Sequence, residues 1–422
     1  MCETPHTLRA QWVLPVARPP IRGGTITIRG GRITAVGPAG GQPAEDLGDV
    51  AILPGLVNAH THLDLSGLSQ PLGEPNQGLA DWIRRVIDYR RKPPDPGTMR
   101  SMVAHGARVG GIDAVRLGLA ESLRLGTTAL GDVAQEAWPQ AALADWPCDV
   151  TIFRELIAPR MERVAAAMES AEAHLAGATA KPQAAVRLGL SPHAPYSVHP
   201  ELLRQVVALS AARHVPLAMH LAESREEIEW LRTGGGAFQV LLESLGAWDP
   251  TASEPGRAPL DYLRVLARAD RALVIHGNYL GDEEIGFLAG RRERMAVVYC
   301  PRTHEWFGHR PYPLEKLLAA GVAVALGSDS RASAPDLSLL AEMRAVARRH
   351  PTVRPEVVLA LGTLAGARAL GLPEVGSLEP GCWANLAVVA LGTRAVDPHE
   401  AILREDYPVT RVYFRGMLVE NM

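Results

Sequence analysis

A (β/α)8 TIM barrel with a small β-sandwich domain formed from both termini is the α/β fold that this 422-residue sequence predicts, and three observations lead to it. From Pro54 to Gly371, eight short β-branched or apolar runs alternate with longer helical stretches; that order builds a parallel sheet wrapped by helices. Histidines and acids recur where those runs end, the position at which barrels of this kind keep their chemistry. Both ends of the chain, unlike the middle, are rich in Gly, Pro and short β-type runs.

Near the N-terminus, "GTITIRGGRITAVGPAG" alternates around a Gly-Gly turn and predicts a hairpin. The final stretch, with "ANLAVVAL" and "VTRVYFRGMLVE", has the same character. One small β-domain over 1–53 plus 377–422 is therefore expected, with the barrel over 54–376. The expected barrel strands are "LVNAHTH", "TTALGDVA", "DVTIFREL", "AVRLGLSPH", "PLAMHLAES", "ALVIHGNYL", "AVVYCPRTH" and "VAVALGSDS". Helical runs such as "PELLRQVVALSAARH" (200–214) and "LEKLLAAG" (314–321) separate them. The insert at 63–125, which includes "GLADWIRRVIDYRR", reads as a helical excursion after the first strand.

Composition narrows the function classes. Hydrophobic residues make up 47%, charged residues 21%, and the formal net charge is −3, so no basic face points to nucleic acid. Cys2, Cys148, Cys300 and Cys382 are scattered without a CxxC, which argues against a disulfide framework or a zinc ribbon. The N-terminus lacks the basic-then-apolar order of a signal peptide, and no apolar run approaches the roughly 18 residues of a membrane span. A cytoplasmic enzyme with a small-molecule partner, and neither nucleic acid nor membrane, is the expectation. Barrels of this kind commonly pair, so a homodimer is allowed for.

His60 and His62 stand one residue apart at the end of the first run. Alternate residues of a strand share a face, so both imidazoles aim into one space, and a shared metal ion would satisfy both at once. His193, His220, His276 and Asp329 end the fourth, fifth, sixth and eighth runs. A polar group at such a place is costly unless satisfied. One such histidine is more often a core residue than a ligand; five with an aspartate at one barrel mouth point to a metal. His60, His62, His220 and Asp329 form the expected ligand set, with a position left open for water, suiting Zn²⁺ first and also Fe²⁺. Lys92, Lys181 and Lys316 are the only lysines and none stands at a strand end. A lysine-derived bridge between two ions is thus absent, and one divalent ion per chain is expected.

Glu223 follows His220 by three residues in "HLAES". It reads either as an acid favoured at a helix N-terminus or, beside a ligand histidine, as a proton shuttle, which is the reading preferred. Trp82 reads as a lid over the site or as an ordinary helix anchor beside Ile83 and Val86.

The motifs "PGLVNAHTH", "SPHAPYS", "HLAES", "VIHGNYL" and "GSDS", in this order across the barrel, resemble those of the amidohydrolase superfamily. The resemblance is to its cytosine-deaminase-like, chlorohydrolase and adenosine-analogue deaminase branch, and "GSLEPGCWANLAVV" (376–389) is similar to that family's flanking β-domain. The resemblance implies His60, His62, His220 and Asp329 as metal ligands and Glu223 as the acid/base. It implies that His276 holds the attacking water or polarises the departing group, and that His193 touches substrate. Asp329 is expected to accept a proton from the water as well as to ligate. One segment departs from the pattern. Where those deaminases tend to carry a Ser-Asn pair and a Gly-rich stretch, this chain has "CPRTHEWFGHRP". Arg302, His304 and His309 are accordingly expected at the rim, gripping an anionic or strongly hydrogen-bonding group, with a structural loop as the alternative. The expected reaction is hydrolytic release of ammonia from an amino-substituted N-heterocycle, either purine nucleoside-like (aminofutalosine-like included) or a pterin or pyrimidine. Chloride displacement or amide or guanidine C–N hydrolysis on the same site is the alternative, and a non-catalytic scaffold a remote one.

Overall fold

The computed structural model describes residues 4–92, 111–135, 146–177, 186–393 and 395–420. Eight parallel strands form its central sheet: β1 (Leu56–Thr61), β2 (Thr127–Ala134), β3 (Asp149–Leu156), β4 (Val186–Pro192), β5 (Pro216–Leu221), β6 (Arg271–His276), β7 (Met295–Tyr299) and β8 (Ala323–Leu326). Each pairs with the next in sequence order, as right-handed β-helix-β connections require. β1, β2, β3 and β7 are buried along their full length and the others over most of theirs, which is why they read as continuous apolar runs and not as alternating ones.

The sheet closes at a seam between the end of β1 and the loop after β8. Thr61 and Asp329 form a parallel bridge. The Asp329 carbonyl accepts from Thr61 Oγ1 at 2.7 Å and from the His62 amide at 3.1 Å, while the Asp329 amide donates to the His60 carbonyl at 3.1 Å. Behind the seam, Asn58 Oδ1 accepts from the amides of Ser328 (3.1 Å) and His60 (3.3 Å), and Asn58 Nδ2 donates to Ser328 Oγ at 2.7 Å. Gly327 lies so close that a Cβ there would meet the Cβ and the carbonyl oxygen of His60 at 2.9 Å.

Both termini contribute two further sheets. Four strands, in the order Arg32–Pro38, Gly24–Arg29, His6–Arg9, Glu45–Asp46, face six, in the order Met417–Leu418, Val409–Phe414, Leu386–Ala390, Val50–Pro54, Trp12–Val13, Ile21–Arg22. Leu8, Ile26, Ile28 and Ile33 share one core with Val13, Ile52, Leu386 and Val388, so the two sheets make a sandwich.

Two elements differ from the sequence expectation. The run "AVVYCPRTH" leaves the sheet at Tyr299, and Pro301 opens a short helix, Pro301–Trp306; proline suits that first position because its missing N–H has no partner there anyway. The C-terminal stretch is not β throughout. Asp397 caps a helix, Pro398–Arg404, by accepting from the amides of His399 (2.9 Å) and Glu400 (3.2 Å), and this helix packs on the barrel helices Leu339–Arg349 and Pro355–Leu361. In the helical excursion, α1 (Leu79–Arg91) and α2 (Gly111–Arg124) are helices as expected, and residues 93–110 lie outside the described residues. Among the described residues, no helix is long and apolar enough to cross a membrane.

Candidate active site

The barrel seam brings Asp329 against the histidine pair. His60, His62 and His220 place their ligand atoms within 4.8 Å of one another. His62 Nε2 stands 3.3 Å from His220 Nε2, and Asp329 Oδ1 stands 3.6 Å from His60 Nε2 and 3.8 Å from His62 Nε2. Ligands at zinc–nitrogen distances of about 2.0–2.1 Å stand roughly 3.3 Å apart in a tetrahedron, so these separations suit one small cation. His60 Nε2 is buried without a hydrogen-bond partner. Burial pushes His62 and His220 well below the ordinary imidazole range, which leaves both rings neutral and able to accept. Burial alone would raise Asp329, but the neighbouring His60, His276 and His62 outweigh it and hold the carboxylate below its usual range. His220 Nδ1 donates to the His193 carbonyl at 3.1 Å, which orients the ring and presents Nε2 inward. Ser333 Oγ donates to Asp329 Oδ2 at 3.1 Å. The donor set fits a divalent metal.

Glu223 and His276 sit at the adjoining strand ends, with Glu223 Oε1 3.3 Å from His276 Nε2. Burial, reinforced by Asp329 and Glu227, pushes the Glu223 carboxyl well above its ordinary value. Burial therefore favours its protonated form. Burial takes His276 down to about 3, so its ring is neutral. The helix after β5, α3 (Arg225–Thr233), fixes Glu223 from behind. Ser224 caps the helix by accepting from the Glu227 amide at 3.1 Å, and the buried Glu227 carboxylate accepts from the amides of Ala222 (2.7 Å) and Glu223 (2.9 Å). Asn278 Nδ2 donates to the Glu223 carbonyl at 2.8 Å, and Tyr312 donates to the His276 carbonyl at 3.0 Å. Ala222, His276 and Asp329 adopt left-handed backbone conformations, with φ of 55°, 67° and 55°. These are uncommon for residues with a Cβ and gather at functional sites. Each lies at or just after the end of a barrel strand.

These groups open into a cavity of about 960 Å³, counting its mouth. His62, His193, His220, Glu223, His276 and Asp329 all line it. Its outer wall is apolar: Ile83 and Val86 of α1 face Leu241 and Leu242 of the helix Ala237–Ser244. Trp82 serves as both wall and anchor, for its indole lines the cavity, donates to the Ala332 carbonyl at 3.1 Å and meets Phe307 edge-on.

The rim residues expected after strand seven are elsewhere. Arg302, His304 and His309 do not line the cavity. Arg302 is drawn to the fully buried Glu342, to which both its amide (2.9 Å) and its Nε donate, and Nη1 reaches Asp336 Oδ1 at 2.8 Å. A buried carboxylate cannot forgo its counter-charge, so the guanidinium is committed to the barrel wall. His304 Nε2 donates to the Arg310 carbonyl at 2.9 Å, and His309 Nδ1 pairs with the Tyr279 hydroxyl at 3.2 Å. Arg302→Met is expected to lower the unfolding free energy by about 3–5 kcal/mol while changing KM by less than about twofold, because it strands a buried charge far from substrate. A raised KM with an unchanged melting temperature would return Arg302 to the substrate site.

Sequence reasoning passed over several groups that hold the site: Asn58, Ser333, Glu227, Glu155 and Arg90. The Ser224-x-x-Glu227 spacing was a readable capping signal, and it would have found Glu227. Nothing local marks Asn58, Glu155 or Arg90, each of which bonds a partner distant in sequence, and Ser333, four residues after Asp329, carries no motif of its own.

Comparison with known proteins agrees with this geometry. Residues 51–419 match the model of the amidohydrolase family. A 5-methylthioadenosine/S-adenosylhomocysteine deaminase of Moorella thermoacetica is 33% identical over 400 residues, covering 89% of this chain and 83% of the relative. An aminodeoxyfutalosine deaminase of Deinococcus radiodurans is 30% identical over 340 residues, covering 78% of this chain and 75% of the relative. Among solved structures, an adenosine deaminase of Xanthomonas campestris with bound zinc superposes with a TM-score of 0.77 at 25% identity, over 98% of this chain and 92% of the other. With the barrel, the ordered motifs and the matched length in agreement, this chain belongs to the amidohydrolase family.

Proposed function

We propose that this protein is a metal-dependent hydrolytic deaminase that releases ammonia from the amino-bearing ring carbon of a purine nucleoside-like substrate, with zinc as its ion. The observation that carries the reading is the buried Glu223, 3.3 Å from His276 and in one cavity with His62, His220 and Asp329. A proton donor placed there suits a leaving group that must be protonated. The deaminases among its relatives support the same class of substrate.

When bound at His60, His62, His220 and Asp329, a divalent ion supplies the Lewis-acid activation that makes water nucleophilic near neutral pH. Asp329 accepts a proton from the attacking water. His276 hydrogen-bonds the attacking oxygen. Glu223 gives its proton to the ring nitrogen next to the carbon under attack; of the two protons of the water, the one taken by Asp329 and the one left on the new hydroxyl, one goes to the departing nitrogen and the other restores Glu223. A C–O bond forms, the exocyclic C–N bond breaks, and ammonia leaves. The hydrophobic wall of α1 and Trp82 keeps bulk water from the reacting groups.

An ammonia-release screen over amino-purine nucleosides, amino-pterins, amino-pyrimidines and triazines, with chloride followed alongside, tests the proposal. Fastest turnover on the amino-purine nucleosides is the expected result. Chloride release from a triazine without ammonia from any nucleoside would overturn it.

A further inference from the structure

We infer that Glu155, at the end of β3, is a specificity-determining residue that accepts a hydrogen bond from a sugar-type hydroxyl of the substrate, with His193 Nε2 taking a neighbouring hydroxyl. The inference rests on the deaminase reading above and extends it to the part of the substrate that does not react.

Glu155 lines the cavity, yet its side chain is only 3% exposed. One carboxylate oxygen is spoken for, since Gln135 Nε2 donates to Oε2 and Arg90 Nη1 lies 4.0 Å from it. The other, Oε1, is buried and has no hydrogen-bond partner among the described residues. A buried acceptor left unmatched is costly, and a charged one more so. Arg90 steadies the carboxylate from a fixed position, because its own guanidinium forks onto Asp64 (Nε to Oδ2 2.8 Å, Nη2 to Oδ1 3.2 Å).

His193 does not satisfy Oε1. His193 Nε2 stands 4.0 Å away, beyond hydrogen-bond reach. On its other side His193 Nδ1 pairs with the Ser197 hydroxyl at 2.7 Å, and that hydroxyl also lies 3.2 Å from the Ala194 carbonyl. Among the described residues Oε1 therefore lacks a donor at the cavity wall, and a ligand that enters can bring one.

Strand order says which part of the ligand brings them. Glu155 ends β3, His193 follows β4, Glu223 follows β5 and His276 ends β6, on adjacent strands around the mouth. A heterocycle reacting beside Glu223 and His276, with His193 along its edge, carries its substituent toward Glu155. An ammonium group is disfavoured because the Arg90 guanidinium lines the same wall. Neutral adjacent hydroxyls fit, and an acidic side chain on a ribose hydroxyl is a recurrent pairing in nucleotide sites.

The test compares adenosine with 2′,3′-dideoxyadenosine as substrates for the wild type, Glu155→Gln and Glu155→Leu, reading kcat/KM by ammonia release and folding by melting temperature. The wild type is expected to favour adenosine by roughly 10–100-fold, the worth of a hydrogen bond to a charged partner. In Glu155→Leu that ratio should fall to within about threefold whatever the overall rate, with Glu155→Gln in between. An unchanged ratio in a folded variant overturns the inference while leaving the deaminase reading intact. Failure of the wild type to deaminate these two and every other amino-purine nucleoside overturns both.

Discussion

Replacing Glu223 with Gln is expected to lower ammonia release by roughly 10²–10⁴-fold while the purified protein keeps its metal. The substitution preserves shape and the capping contacts from Glu227, which reach only the backbone amide of residue 223. It removes the group placed to give a proton to the ring nitrogen and to regain one. Metal content by elemental analysis separates this outcome from loss of the ion, and near-normal turnover on a verified substrate would end the acid/base assignment. A stability effect accompanies it. Burial raises the folded-state pKa of Glu223 above its unfolded value. The stability it contributes is thus fully present below the unfolded value and is lost as pH rises through the folded one. Gln has no charge to bury, so its melting temperature should exceed that of the wild type at alkaline pH and approach it toward acid pH.

Asp329→Asn is expected to weaken metal retention by on the order of 10²-fold or more and to bring turnover to background, since even groups that only orient ligands cost 10–100-fold when removed. The fold should survive. The seam that passes through residue 329 is made by its main-chain amide and carbonyl and by Thr61 Oγ1, none of which the substitution touches. Asn also tolerates the left-handed backbone found there. What disappears is the anionic oxygen 3.6–3.8 Å from His60 and His62. Circular dichroism and metal stoichiometry, measured together, give the check. A protein that holds a full equivalent of metal and turns over normally would remove Asp329 from the ligand set.

Much of this site was legible before any coordinates because barrel chemistry follows a simple geometric rule. Strands of a closed parallel sheet all deliver their last residues to one rim. A histidine at the end of an apolar run is therefore placed by its position in the run, as His60, His62, His220 and His276 were. The rule failed at the segment after strand seven, where it took the whole of "AVVYCPRTH" as extended. Pro301 turned it into helix at once, and Arg302 swung toward Glu342, forty residues further along, instead of toward substrate. Glu155 escaped notice for the converse reason. "DVTIFREL" is an unremarkable strand, and nothing within it shows that Arg90 and Gln135 would occupy one side of the carboxylate and leave the other bare.

By itself, the sequence determined the barrel, the terminal sandwich and the residue types that reach the rim, because periodicity and order are local properties that backbone geometry converts directly into position. Only the tertiary structure decided which polar groups are spent on one another and which face the cavity. That choice turns on burial. A charge removed from water must find a partner wherever the fold supplies one, and the partners of Arg302 and Glu155 come from segments that meet only when the barrel closes.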